Sequence, residues 1–402
     1  MNNITLKEVF EKAACRIPDC ENLAYGDLDA ATASVTKLIY EAMAESEIEK
    51  RTGVRLHERD ENRTDYRNGY RHRMVQTSYQ VVEIRIPRLR GNGFVPSFLE
   101  PNHRAIRGVE TWVSKAFLTG LSRAEVIRLL ESTTGCKPSD RLLKRVQLEI
   151  DEQVKAFRER KLLGRYQYLF LDAAWAKDIV GITATRICIM TAIGITYTGV
   201  KEILGFERTS TENESSWKGF LGRLVERGLK PGDLAMVISD EHNGLLNAAS
   251  EVLGDVPQQL CWAHRIRNVR KAVAAADRSE VVGGLKPVYD AKHLSGAKDS
   301  FRLWEQRWDE KYPNLVASVK EDLGYLFAFY SCDESHWEYL RTSNPIERTF
   351  RELRRQQYGS GAYANRDACN RAVYRVFNWL NERWKDTDIW QQRKMSKAQT
   401  TK

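Results

Sequence analysis

At 402 residues the chain exceeds one ordinary hydrophobic core, so two to four domains are expected. Hydrophobic residues make up 42% and charged residues 29%, a globular balance that excludes extensive disorder. The formal net charge of +9 points to an anionic partner, nucleic acid first.

Most of that charge lies late: residues 341–402 hold 14 Lys/Arg against 6 Asp/Glu, a surplus of 8. A solvated basic tail would look the same. Seven cysteines (15, 20, 136, 188, 261, 332 and 369) form no regular framework, so reduced thiols in a cytoplasmic protein are expected. The first residues lack a basic stretch followed by an apolar core, and no apolar run approaches the ~18 residues of a membrane span. Neither secretion nor a membrane location is expected.

Residues 30–51 carry Val35, Leu38, Ile39, Ala42 and Met43 at three- and four-residue steps, which predicts a helix with one apolar face, for a core or a dimer. Residues 60–73 are polar, with Arg67-Asn68-Gly69-Tyr70 as the expected turn. Val82, Ile84 and Ile86 alternate with Glu83 and Arg85, a half-buried strand ending at Pro87. Arg88-Leu89-Arg90-Gly91-Asn92-Gly93 then reads as a flexible basic loop.

Trp112, Val113, Ala116 and Phe117 mark a helix ending at Gly120, and Ser122 with Glu125 forms a capping box for the next, which breaks at Gly135. Ser139 caps a third, with Leu143, Val146, Ile150, Val154 and Phe157 as its buried stripe. Arg141, Lys144 and Arg145 project from its first turns on the other side. Three short helices with a basic last one suit a DNA-binding helix-turn-helix.

From Tyr166 the pattern turns to strands, at residues 168–172, 186–195 and 201–208. A helix through Trp217, Phe220, Leu221, Leu224 and Val225 follows. Then comes the apolar strand Leu234-Ala235-Met236-Val237-Ile238, which stops at Asp240, with a helix from Gly244. Three strands, a helix and a strand bearing an acid is the order of a ribonuclease-H-like domain. Residues 265–335 contain no convincing strand and read as a helical insertion.

The expected organisation is therefore an α/β protein. An N-terminal helical region for possible dimerisation (1–65) precedes a small β-containing DNA-binding region (66–105) and a helix-turn-helix-like domain (106–162). A ribonuclease-H-like core (163–264) follows, interrupted by an α-helical insertion (265–335) and completed by C-terminal helices and a basic tail (336–402).

Three acids carry the expected chemistry. Asp172 ends the run Tyr168-Leu169-Phe170-Leu171, Asp240 leaves the later strand, and Glu347 lies near the start of the last basic helices. Carboxylates at strand exits sit where open α/β sheets place their chemistry. Breaking or transferring a phosphodiester needs an activated oxygen nucleophile and a stabilised leaving oxygen, and two Mg²⁺ about 3.5–4 Å apart supply both. Mn²⁺ is the expected substitute. Arg351, Arg354 and Arg355 would share the helical face of Glu347 and track a phosphate backbone, although Glu347 and Arg351 would also make an ordinary surface pair.

Cys261 and His264 form a CxxH that is weak as half a zinc site, and packing beside the acids is the better reading. Arg265, Arg267, Asn268 and Arg270 extend a basic strip expected to face DNA. His242 reads as a surface histidine, with orientation of a water as the alternative.

Taken in order, several motifs resemble the Mutator-type transposases of bacterial insertion sequences: Arg67-Asn68-Gly69-Tyr70, Ile86-Pro87-Arg88, Gly120-Leu121-Ser122 and Leu171-Asp172-Ala173. They continue with Ser239-Asp240-Glu241-His242-Asn243-Gly244, Gln259-Leu260-Cys261-Trp262-Ala263-His264 with Arg267-Asn268, and Arg341-Thr342-Ser343-Asn344-Pro345-Ile346-Glu347-Arg348. Tyr79 and Leu260 depart from the pattern, where a glycine and a basic residue are common.

The resemblance implies a DDE transposase with Asp172, Asp240 and Glu347 as its triad and metal ligands, supported by Cys261 and His264. It implies binding of double-stranded DNA at terminal inverted repeats and at a target, a homodimer on DNA, and copy-out, paste-in transposition through a circular intermediate, in a bacterial, nucleoid-associated protein. DNA contacts are expected from Arg141, Lys144, Arg145, Arg265, Arg267, Arg348, Arg351, Arg354 and Arg355. The alternatives are a catalytically idle, domesticated DNA-binding regulator and an ordinary ribonuclease H.

Overall fold

The structure, a computed structural model, describes Lys7, Glu11 and residues 28–391 apart from 62, 78–79, 92, 100–106, 135–136 and 358–360. Expectations resting on Tyr79, Gly135 and residues 392–402 lie outside the described residues. The chain divides into two compact units, Met1–Asp151 and Glu152–Lys402. Among the described residues no helix is long and apolar enough to cross a membrane.

In the first unit, helix α1 (Leu28–Thr52) packs on the antiparallel hairpin of β1 (Arg67–Gln76) and β2 (Val81–Leu89). Two buried carboxylates of α1 grip that hairpin. Glu41 accepts from Arg85, and Glu45 accepts from Arg67 and from Tyr70 Oη, at 2.6–3.4 Å. Arg67-Asn68-Gly69-Tyr70 is therefore not a turn. It opens β1 with a bulge at which Gly69 takes φ 69°, where a side chain would be strained. Arg88 and Leu89 likewise belong to β2 and not to a loop, because the hairpin register runs on to Arg67↔Leu89.

Helices α2 (Arg107–Leu118), α3 (Arg123–Thr134) and α4 (Asp140–Glu159) follow. The capping box forms as its spacing predicts: Ser122 N–H donates to Glu125 at 2.7 Å and Glu125 N–H to Ser122 Oγ at 3.2 Å. Ser139 Oγ accepts from Leu142 N–H at 3.2 Å, and the predicted stripe of α4 from Leu143 to Phe157 is buried at every position.

The second unit is built on a five-stranded mixed sheet in the order β5-β4-β3-β6-β7. Strands β3 (Tyr166–Val180), β4 (Thr183–Thr196) and β5 (Lys201–Thr209) are antiparallel, while β6 (Met236–Ser239) and β7 (Gln258–Leu260) run parallel to β3. Side chains alternate across a strand. Leu169 and Leu171 face one layer with α5 (Glu214–Glu226) and α6 (Asn243–Leu253), where Trp217, Leu221, Leu224, Leu245 and Ala248 pack. Tyr168 and Phe170 face the other layer, meeting His336, Trp390 and Tyr339. Asp172, two residues past Phe170, shares that second face.

The chain then runs through α7 (Trp262–Ala272), α8 (Arg278–Gly284), α9 (Lys286–Tyr289), α10 (Leu294–Trp308), α11 (Pro313–Glu321), α12 (Leu323–Leu326) and α13 (Trp337–Leu340). This stretch is helical, as its composition predicts. Its return is held by β7: Gln259 bonds Leu326 O and Phe329 N–H, and Trp262 Nε1–H donates to Leu326 O at 2.8 Å. Finally α14 (Asn344–Gln357) crosses β3, and α15 (Arg366–Trp384) packs on β5, with Phe377 edge-on to Phe206.

Candidate active site

The last paired rungs are Phe170↔Ile238 between β3 and β6 and Ser239↔Leu260 between β6 and β7. Continuing that register by one residue past β6 and β7, Asp240 and Cys261 fall level with Asp172 of β3, on neighbouring chain segments spaced about 4.8 Å apart. Asp172 was expected to end its strand. It lies instead inside β3, which continues to Val180 because its hairpin with β4 closes only at Val180↔Thr183. What ends near Asp172 is the parallel pairing with β6, so the acid still sits at the edge of the parallel half of the sheet.

Asp172 is 7% exposed, and the Ala173 N–H donates to its Oδ1 at 2.7 Å. Burial first, and then the charge of Asp240, push its carboxyl well above the usual carboxylate range; Glu347 and Glu212 add to the rise. Asp240 Oδ1 is buried without a hydrogen-bond partner. Among the described residues, neither aspartate has a cationic side chain in contact with it.

Glu347 arrives from the first turn of α14, and its position is set by the CxxH. Cys261 N–H donates to Ser239 O at 2.8 Å, carrying the sheet one residue on, and Trp262 N–H donates to Arg341 O at 2.9 Å. Ser343 then docks on the buried Cys261 Sγ through its N–H at 3.1 Å and its Oγ–H at 3.2 Å, with His264 Nδ1 3.3 Å from the same Oγ. Ser343 O accepts the Glu347 N–H at 3.1 Å, so this anchored residue launches the helix. His264 Nε2 lies 3.5 Å from Glu347 Oε1, and Arg267 donates to that oxygen at 3.2 Å. Burial raises the Cys261 thiol, so it is protonated near neutral pH.

Other expected residues fall elsewhere. Arg265 does not belong to an exposed basic strip. It is 4% exposed, ion-paired with Glu241 at 2.9 Å and with Asp322, and bonded to Ser318. Helix periodicity turns it inward while Arg267 stays exposed. Arg145 pairs with Glu110 of α2, whereas Arg141 and Lys144 are exposed on α4. On α14, Arg348, Arg351, Arg354 and Arg355 are exposed, with Arg355 3.9 Å from Glu352. The acid at the head of that helix pairs with His264 and Arg267, and not with Arg351. His242 is half-buried and not a plain surface residue. Its Nδ1 accepts the Leu245 N–H at 3.2 Å, capping α6.

Among the described residues, no three Asp, Glu, His or Cys side chains are close enough together to hold a metal ion as they stand. Asp172, Asp240 and Glu347 therefore border one acidic space without closing on it. Their chemistry fits a hard cation nonetheless. All offer oxygen donors, which Mg²⁺ prefers, and the orphaned Asp240 Oδ1 beside the uncompensated Asp172 is the imbalance that a cation would neutralise.

The chain matches the sequence profile described as "Transposase, Mutator family" over residues 11–387. It belongs to the Mutator family of transposases. Among its relatives, the transposase for insertion sequence element IS406 of Burkholderia multivorans is 30% identical over 360 residues, 89% of this chain and 92% of that protein. The transposase for ISRM5 of Rhizobium meliloti is 29% identical over 354 residues, 88% of each chain. The transposase for IS256 in transposon Tn4001 of Staphylococcus aureus is 27% identical over 365 residues, 90% of this chain and 93% of that one.

Two residues of this Mutator-family site escape a reading of its sequence. Ser343 lies inside a quoted motif, yet nothing in the string says that it bonds a cysteine and a histidine some eighty positions back. Glu212 lies between β5 and the Asn213 cap of α5, and burial followed by the charge of Asp240 raises its carboxyl too. An acid one residue before a helix cap and just after a core strand was the available signal.

Proposed function

We propose that this Mutator-family transposase is a DDE enzyme whose Asp172, Asp240 and Glu347 hold two Mg²⁺ ions, or Mn²⁺ in their place. We further assign its five-stranded sheet and covering helices to a ribonuclease-H-like core that the stretch from α7 to α13 interrupts. The observation that carries this reading is the buried Asp172 beside the half-buried Asp240, whose Oδ1 has no hydrogen-bond partner, the two without a cationic side chain and within the electrostatic reach of Glu347 from α14.

When bound, the metal pair supplies activation of the attacking oxygen and stabilisation of the leaving oxygen. The rest falls to the chain itself. Asp172 lies in β3 and Asp240 one residue past β6, so the β3–β6 pairing that ends at Phe170↔Ile238 sets their spacing. Glu347 is steadied by His264 and Arg267, and through Ser343 by Cys261. Arg267 and the exposed arginines of α14 hold phosphates in line with the acids.

Two phosphoryl transfers use this one arrangement. First a water oxygen attacks the phosphorus at the element's end, its proton leaves, and the departing 3′-oxygen is released as a hydroxyl. That 3′-hydroxyl then loses its proton as it attacks the phosphorus of a second phosphodiester, and the 3′-oxygen of that linkage departs as a new hydroxyl. Recognition of terminal inverted repeats falls to α2, α3 and α4 through exposed Arg141 and Lys144, in a homodimer that transposes by copy-out and paste-in.

The test takes Asp172→Asn, Asp240→Asn and Glu347→Gln separately. Each abolishes Mg²⁺-dependent nicking and strand transfer of end DNA while its binding stays within a few-fold of wild type. Cleavage retained by any one of them removes that residue from the site.

A further inference from the structure

A second cationic feature lies along α14. A half-open cavity of about 420 Å³ separates α14, α15 and the start of β5. Its walls carry Lys201, Arg348, Arg351 and Arg383, against the single acid Glu352, and two tryptophans, Trp379 and Trp384. Among the described residues none of those four cations makes an ion pair, and Glu352 is engaged by Arg355. Lys201 Nζ stands 4.3 Å from the Trp384 ring centroid, and Arg383 lies 5.5 Å from that of Trp379. Trp379 is 48% exposed, a flat apolar face open beside uncompensated charge.

A solvated basic surface does not account for this arrangement. Lys201 is drawn in against Trp384 instead of extending into water, and the Trp379 indole is left exposed. Burial first, and then the neighbouring Arg348, bring the Lys201 ammonium down to about 8, so its charge is held against a penalty that an anion would lift. Arg348 and Arg351 are three residues apart on α14 and therefore share the face that looks into the cavity. Cations around an exposed indole form the combination that grips a nucleic-acid strand, phosphate by charge and base by stacking.

We propose that this groove seats one phosphate of a DNA strand between Lys201, Arg348 and Arg351, with the adjoining nucleobase stacked on Trp379. The proposal rests on the DNA-cleaving reading above. Arg348 follows Glu347 directly in α14, so a strand that crosses the acids is carried onto the groove within a nucleotide or two. The groove thus holds the strand beyond the point of cleavage, and Lys201 and Trp379, from β5 and α15, join the DNA-contacting surface.

The experiment uses the full chain in EDTA and follows binding by fluorescence anisotropy. The probes are a labelled blunt duplex and the same duplex with a single-stranded 3′ thymidine tail, over a range of salt. Lys201→Gln is expected to weaken binding of the tailed duplex several-fold and to lower its log–log salt slope by about 0.7, one phosphate contact on a single strand. Trp379→Ala should weaken tailed binding by roughly 5- to 100-fold, the range for loss of one base–aromatic stack, with the salt slope unchanged. Trp379→Phe restores most of that loss. The blunt duplex is affected less by either change.

Tailed binding within twofold of wild type in both Lys201→Gln and Trp379→Ala overturns the proposal. If the melting curve shows that Trp379→Ala is misfolded, Arg383→Gln takes its place beside Lys201→Gln under the same criterion. Asp172→Asn separates the two readings. Should it still cleave, the carboxylate assignment fails while the groove stands or falls on its own binding data.

Discussion

Gly244 gives a sharp test because a single methyl group there presses on the site without altering any of its chemistry. The residue lies in the first turn of α6, directly after the Asp240–His242 corner. A Cβ built on Gly244 would lie 2.9 Å from the Glu214 backbone nitrogen, 3.0 Å from the His242 ring and 3.3 Å from Glu214 Cα. Ordinary contact begins near 3.4 Å, so the starts of α5 and α6 must part by about half an ångström. Neither backbone can rotate out of the way.

On helix propensity alone, Gly→Ala would stabilise by about 1 kcal/mol. Overpacking against backbone costs about 1–3 kcal/mol, so Gly244→Ala is expected to be neutral to about 2 kcal/mol destabilised. The larger effect falls on chemistry, since His242 caps the shifted helix and Asp240 precedes it by two residues. Misplacement approaching an ångström costs up to about 100-fold, and a single-turnover nicking assay should lose about 10- to 100-fold while end-DNA binding is kept. A Gly244→Ala protein that melts higher than wild type and nicks at the full rate would refute this account of how the two helices hold the corner.

Asp172→Asn tests the electrostatics. The folded carboxyl titrates above its unfolded value, so the folded state holds an extra proton between the two pKa values and stability falls as pH rises through that window. In EDTA at pH 8 the substitution should therefore stabilise by about 1–2 kcal/mol, a rise of roughly 2–8 °C in melting temperature. The gap should narrow as pH falls toward the unfolded value near ~3.9. Arg265→Ala leaves Glu241 and Asp322 facing a vacated, largely buried position and should destabilise by about 3 kcal/mol in a thermal melt, with the salt slope of DNA binding unchanged. Ser343→Ala removes the hydroxyl shared by Cys261 and His264. It should cost about 0.5–1.5 kcal/mol of stability and lower the maximal nicking rate about tenfold, with apparent DNA affinity unchanged.

The parts legible in the sequence were those whose signal is local. The capping box at Ser122, the stripe of α4 and the three antiparallel strands each declare themselves within a dozen residues. Asp240 was visible because an apolar run stops at it. Features set by distant partners were not. β3 continues through Ala173-Ala174-Trp175-Ala176, a weak strand pattern, only because β4 pairs with it throughout.

β7 is three residues long and exists through its pairing with β6, so it leaves no periodic trace. Arg265 reads as one more cation in a basic strip, because the acids that bury it lie on other elements. Gly69 reads as a turn because a bulge uses the same left-handed backbone. His242 looked like a surface residue because its role is to a backbone N–H that the sequence does not display.

The central claim is that Asp172, Asp240 and Glu347 gather a pair of divalent ions, and electron paramagnetic resonance of the protein with Mn²⁺ and end DNA measures this directly. The account predicts a spin-coupled spectrum from two Mn²⁺ about 3.5–4 Å apart, lost in Asp172→Asn. Uncoupled Mn²⁺ alone in the wild-type complex, or coupling that survives in Asp172→Asn, would contradict it.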